Sequence, residues 1–169
     1  MHKTKFFALI FTIFISVATN AASLLKLDKK MIDTINDHIS DASSQCDFEE
    51  STKYYFGKTR FFDHSIVDGK EVVQEQTYSE AMSVFKDAMD ACYVSLAKEK
   101  TISESIEISK TGQEAIFKSE AFHYLKSNDG RLFESHNKGK VIFGVVDGEV
   151  RIMESHYFGL VFQEIEKLP

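Results

Sequence analysis

The 169-residue chain sets 26 acidic side chains against 20 basic ones, a net charge of −6 with the histidines neutral. An acidic body without a basic run lacks the electrostatic footprint of nucleic-acid binding and of attachment to anionic membrane surfaces. The length is that of one domain able to bury a core without a metal staple, and the only proline is the last residue.

The N-terminus combines Lys3 and Lys5, an unbroken apolar run from Phe6 to Val17, and the small-residue tail Ala18-Thr19-Asn20-Ala21-Ala22-Ser23. This layout predicts a cleaved secretory signal over 1–22, cut after Ala21 or Ala22, with residues 23–169 as the single exported domain. The apolar run falls well short of the roughly 20 residues a membrane-spanning helix needs, so no stable membrane insertion is expected. Such a leader places the domain in the periplasm of a Gram-negative source and outside the cell otherwise. Loss of Lys3 and Lys5 makes the remainder more acidic still.

From Asp28 to Ala42, the residues Met31, Ile32, Ile35, Ile39 and Ala42 form one apolar helical stripe. Asp47, with Glu50 three residues on, caps a short second helix that ends before Gly57. Arg60–Val67 reads as a strand that turns at Asp68-Gly69 into a short return over Glu71–Val73. Thr77 and Glu80 form a capping box for a third helix carrying Tyr78, Met82, Phe85, Met89 and Cys92 at helical spacing. Strands follow over 101–109, 114–125, 131–146 and 150–162, separated by Thr111-Gly112, Asn128-Asp129-Gly130 and Asp147-Gly148. Lys138-Gly139, inside the third of these, is expected to mark a bulge or bend. Cys46 and Cys92 either join in the oxidising exported compartment or remain two separate buried thiols.

The order of helix, short helix, strand pair, helix and four long antiparallel strands resembles the nuclear transport factor 2-like superfamily, which includes the SnoaL-type polyketide cyclases and ketosteroid isomerases. Cys46-Asp47-Phe48-Glu49-Glu50, Phe61-Phe62-Asp63-His64 and Asp147-Gly148-Glu149-Val150-Arg151-Ile152 carry the resemblance, which covers nearly the whole exported part. It implies an α+β, cone-shaped fold in which three helices from the N-terminal half pack on a strongly curved, mostly antiparallel sheet. The open end of such a cone is a pocket.

By the same resemblance Asp63 stands where the isomerase branch keeps a general base at the end of its first long strand. A carboxylate in an apolar cavity has its pKa raised toward the range useful for proton transfer. The tyrosine of that branch has no counterpart near His38-Ile39, and no acid stands at 140–143. Strand parity places His123 with Phe117 and Ala121, and places Glu154 and His156 with Ile152, all facing inward with Phe61 and Phe143. The expected site is therefore Asp63, His123 and His156 as acid-base groups, lined by Phe61, Phe117, Phe143, Ile152 and Glu154. His136 falls on the outward face. No metal site and no cofactor is expected, because H-x-H and H-E-x-x-H spacings are absent.

The leading expectation is an exported, non-catalytic pocket protein for a small, mainly apolar ligand. One alternative is a protein-interaction module, such as an inhibitor, immunity or accessory protein, or a homodimer built through the sheet face with Phe122, Tyr124 and Tyr157. The other is a cofactor-free isomerase, dehydratase or cyclase with Asp63 as its base.

Overall fold

The computed structural model describes residues 25–92 and 94–169, so the expected leader lies outside the described residues. Helix α1 spans Lys29–Ser44, with the Asp28 carboxylate accepting from the Met31 N–H at 2.8 Å. Helix α2 spans Phe48–Thr52 under an Asp47 cap, and α3 spans Tyr78–Ala91 under the reciprocal Thr77/Glu80 box. Each cap satisfies N–H groups that a first helical turn leaves unpaired. None of the described helices is long and apolar enough to cross a membrane.

Strands β1 (Arg60–Val67), β2 (Lys70–Gln76), β3 (Val94–Ile108), β4 (Glu114–Ser127), β5 (Leu132–Val146) and β6 (Glu149–Ile165) form one sheet in the order β2-β1-β6-β5-β4-β3. Only β1 and β6 run parallel; the other neighbours are antiparallel. The α+β class and the mostly antiparallel sheet are as expected, with β2, β3 and β6 longer than their apolar patterns indicate. Helix α1 lays Ile32 and Ile35 onto Ala115, Phe143 and Ile152, and this cluster with Leu27 is the core. Phe143, Ile32 and Ile152 are almost wholly out of water.

Gly139 marks no bulge, contrary to expectation. It sits in regular register with Ser119 and Tyr157. The register shifts instead leave Ala97 and Ile102 as extra residues on β3, and Met153 and Leu160 on β6. A bulged strand bends and twists more than a regular one, which gives the sheet its curve. The Met153 bulge depends on Gly144, where an added Cβ would lie 2.9 Å from Met153 Cγ.

Cys46, just past the end of α1, is bonded to Cys92, the C-cap of α3, with the two Cα atoms 5.9 Å apart. Of the two alternatives left open by the sequence, the structure takes the disulfide.

Candidate functional site

The Met153 bulge decides which side chains meet. Across β5 and β6, Phe143 pairs with Ile152 but Ile142 pairs with Glu154, so the two strands are in phase again only after one extra residue. Phe143 faces the helices and Ile142 faces away, hence Glu154 and His156 also face away. Ser155, opposite Val141 and Phe61, points inward in their place. Strand parity read across the bulge therefore assigned Glu154, His156 and Tyr157 to the wrong faces, and Tyr157 turns in beside Asp63.

On the inward side, Phe61 is buried, stacks on Tyr55 at 5.4 Å between ring centroids and meets Phe85 of α3 edge-on at 5.8 Å. Burial raises the pKa of the Tyr55 hydroxyl, an effect partly offset by its hydrogen bond to Ser155. Asp63 lies beyond Phe61 and lines a cavity of about 160 Å³ with Phe61, Ala81, Phe85, Ser155 and Tyr157. Its side chain is exposed.

His123 is inward too, half-buried beside Asn137 at 3.2 Å and Glu99 at 3.7 Å. Asp63 is level with Tyr157, Gly139 and Ser119 in successive strands. His123 therefore sits three strand spacings across the sheet, about 14 Å, and four residues, about 13 Å, further along it. The expected acid-base trio does not converge. Phe143 and Ile152 close the floor as core rather than lining a cavity, and Phe117 packs against them.

The roomy site lies elsewhere, at the N-terminal end of α1. An open groove of about 680 Å³ runs between Met31, Thr34 and Ile35 of α1, Lys53-Tyr54 after α2, and Glu149-Val150-Arg151 at the β5–β6 turn. Tyr54 is held by its carbonyl, which accepts from the Ile152 N–H at 2.9 Å, while Arg151 Nη1 donates to the Lys53 carbonyl at 3.0 Å. The floor is apolar and the rim carries Lys30, Lys53 and Arg151 beside Asp28 and Glu149. Lys53 is already paired with Glu50 and Arg151 with Glu149. The amphipathic pattern of α1 was legible in the sequence, but the groove needs three distant segments and was not.

The outward side of β1 and β6 holds a second cluster that the sequence reading missed. His156 stacks on Phe62 at 4.5 Å and His64 stacks on Phe158 at 3.9 Å. Arg60 lies over Phe62 and bonds Glu75 and Glu154. The alternation Phe62-Asp63-His64 and His156-Tyr157-Phe158 was its signal, since each stretch puts an aromatic ring and an imidazole on one strand face. Further along the same face, Phe122 stacks on His136 at 4.2 Å, and His136 pairs with Glu120 rather than standing free in solvent.

Burial lowers the pKa of His156; the Glu154 hydrogen bond opposes the shift and Lys140 adds to it. A base with a depressed folded pKa favours the native state while neutral. On acidification the unfolded chain takes up this proton first, so stability should fall as pH drops through the ordinary imidazole value of 6.5. Urea midpoints at pH 7.5 and 5.5 test this: His156→Gln should show a smaller loss than the parent chain, and equal losses would remove His156 as the cause. The carboxylates Glu75 and Glu120, held low by Arg60 and by Lys138, belong to a separate window below their ordinary value of 4.5.

Neither a protein-family model nor any curated protein matches the sequence. Solved structures do match the fold. An NTF2-like protein of unknown function in nutrient uptake from Rhodospirillum rubrum aligns over 77% of this chain and 98% of its own, at 13% identity and TM-score 0.56. An NTF2-like protein of unknown function from Pseudomonas putida aligns over 76% and 84%, at 11% identity and TM-score 0.56. This chain has the nuclear transport factor 2-like fold. A ketosteroid isomerase-like protein from Erwinia carotovora atroseptica aligns over 77% and 94%, at 9% identity and TM-score 0.54. At these identities the shared NTF2-like scaffold carries no reaction with it.

Proposed function

We propose that this is an exported, non-catalytic binding protein for a small, mainly apolar molecule with an anionic end. The observation that carries this reading is the 680 Å³ groove, whose apolar floor of Met31, Ile35, Tyr54 and Val150 is rimmed by cationic side chains. Clefts of this size, apolar with a few placed polar groups, suit small ligands. Lys30 would meet the anionic end, because Lys53 and Arg151 have carboxylate partners of their own. The Cys46–Cys92 disulfide supports an oxidising compartment, in keeping with the leader-like N-terminus.

A fluorescent medium-chain fatty acid tests the groove. One molecule should bind per chain, Thr34→Trp should weaken binding at least tenfold by filling the space, and Lys30→Glu should weaken it while sparing a neutral apolar dye. Equal binding to the parent and Thr34→Trp chains would end this reading. Asp63→Asn should leave binding unchanged, because Asp63 lines a separate cavity, with His156 on the opposite face of the sheet and His123 three strands away.

A second reading is a protein-interaction module or homodimer using the outward sheet face. It is favoured by the outward ring cluster together with Ile66, Val73 and Val161, which stay exposed on that face. Light scattering of the purified chain separates a dimer from a monomer.

A further inference from the structure

The outward sheet face also carries a groove of about 350 Å³, which crosses β3, β4 and β5 and ends on β6. On β5, Lys138 and Lys140 face outward in phase with His136, and the register sets Lys140 directly opposite Lys118 of β4 and His156 of β6. Lys138 stands in the next row, between Glu120 and Phe158. Like charges directly opposite one another destabilise a sheet, so lysines placed this way need counter-charges. Two of them have one: Lys118 pairs with Glu107 at 2.7 Å and Lys138 with Glu120 at 3.1 Å. Among the described residues no carboxylate stands within ion-pairing distance of Lys140, which is half-buried. Burial, and with it the Lys140 charge, lowers the pKa of His156, so the imidazole beside Lys140 offers it no counter-charge.

Phe158 closes one end of this groove with an open ring face. His64 of β1 stacks on the ring at 3.9 Å between centroids and 22° between planes, which covers the side toward β1. The side toward β5 lines the groove. His156 and Phe62 back His64 through ring contacts of 5.3 and 4.5 Å, so the Phe158 plane rests on a packed stack. We propose that the groove binds a small planar aromatic carboxylate, its ring stacked on the free face of Phe158 and its carboxylate on Lys140 Nζ. Phe158 and Lys140 are diagonal neighbours across β5 and β6, about 7–8 Å apart, a span that one ring bearing a carboxylate bridges.

The charges favour a single negative group. With Lys118 and Lys138 neutralised by Glu107 and Glu120, Lys140 is left over, and one carboxylate completes the set where a phosphate dianion would overshoot it. Glu104 also borders the groove, but it lies opposite Ser119 and so belongs to the inward face. Ser103 and Ser105, short side chains on β3, leave the far end open. The site is separate from the α1 groove, because α1 packs on the other face of the sheet. The sequence showed no such site because Phe158 reaches the outward face, beside Lys138 and Lys140, only through the Met153 bulge.

Calorimetric titration of the full exported chain with naphthoate tests the site, with side-chain resonances followed in parallel. It is run on the parent and on Thr34→Trp, whose α1 groove is filled. In Thr34→Trp one molecule should bind per chain, and in both chains the Phe158 ring and the Lys140 side chain should shift. Binding should weaken about tenfold or more in Lys140→Gln, and about fivefold in Phe158→Leu. Naphthamide, which keeps the ring without the charge, and cyclohexanecarboxylate, which keeps the charge without the flat ring, should each bind more weakly than naphthoate. The resonance readout in the parent chain does not depend on the variants folding. No saturable uptake up to millimolar naphthoate would overturn the site. So would shifts confined to α1 residues, equal binding of naphthamide, or equal binding by Lys140→Gln.

Discussion

Phe143→Ala should lower unfolding stability by about 3–5 kcal/mol. The side chain is fully buried beneath α1, and truncation removes apolar contact with Ile32, Ile35 and Ile152 while leaving a cavity that a strand from the middle of the sheet cannot collapse to fill. That cost is a large part of the roughly 5–15 kcal/mol that holds an ordinary domain together. Ile66→Ala, 68% exposed at the end of β1, should change stability by no more than about 0.5 kcal/mol. Urea unfolding of the three chains decides it. A Phe143→Ala midpoint close to that of Ile66→Ala would mean the core is centred somewhere other than under α1.

Removing the disulfide should cost nearly as much. The bond closes a separation of 46 residues, for which loop entropy gives about 4 kcal/mol, against a usual range of about 2–4. It also has a local job. Helix α3 buries one alanine and packs Phe85 against Phe61 of β1 and Tyr55 of the segment before it, and the bridge to the end of α1 adds a covalent anchor to these few contacts. In Cys46→Ala/Cys92→Ala, the urea midpoint should fall and the amides of 78–91 should exchange faster than those of β4 and β5. The reduced parent chain should behave the same way. An unchanged midpoint after reduction would show that α3 is held by packing alone.

Much of the fold was legible because its signals are local. Asp28, Asp47 and the Thr77/Glu80 pair start the three helices where they are expected to, since a cap depends on residues within one turn. Asp68-Gly69 and Asp147-Gly148 make the tight turns that their residue types favour, with Asp and Gly all at positive φ. Alternation in β4 placed Phe117 and His123 inward correctly, because β4 pairs with β5 without a register shift. The same alternation failed in β6. One extra residue at Met153 flips the side chains from Glu154 to Gly159, until the second bulge at Leu160 restores the phase, and the first bulge lies against the bare Cα of Gly144.

The sequence by itself determined the α+β order of elements, the helix caps and the tight turns. Tertiary structure alone decided that the two cysteines meet, that Asp63 and His123 lie far apart, and that the groove forms from three distant segments. It also decided that His64 and His156 face each other between two carboxylates. Caps and turns are set by interactions within a few residues. Which strand neighbours which, and where a strand bulges, depends on contacts between residues up to about a hundred positions apart, such as Thr59 with Ile152 and Arg151 with Lys53. Both candidate sites are built from contacts of that second kind.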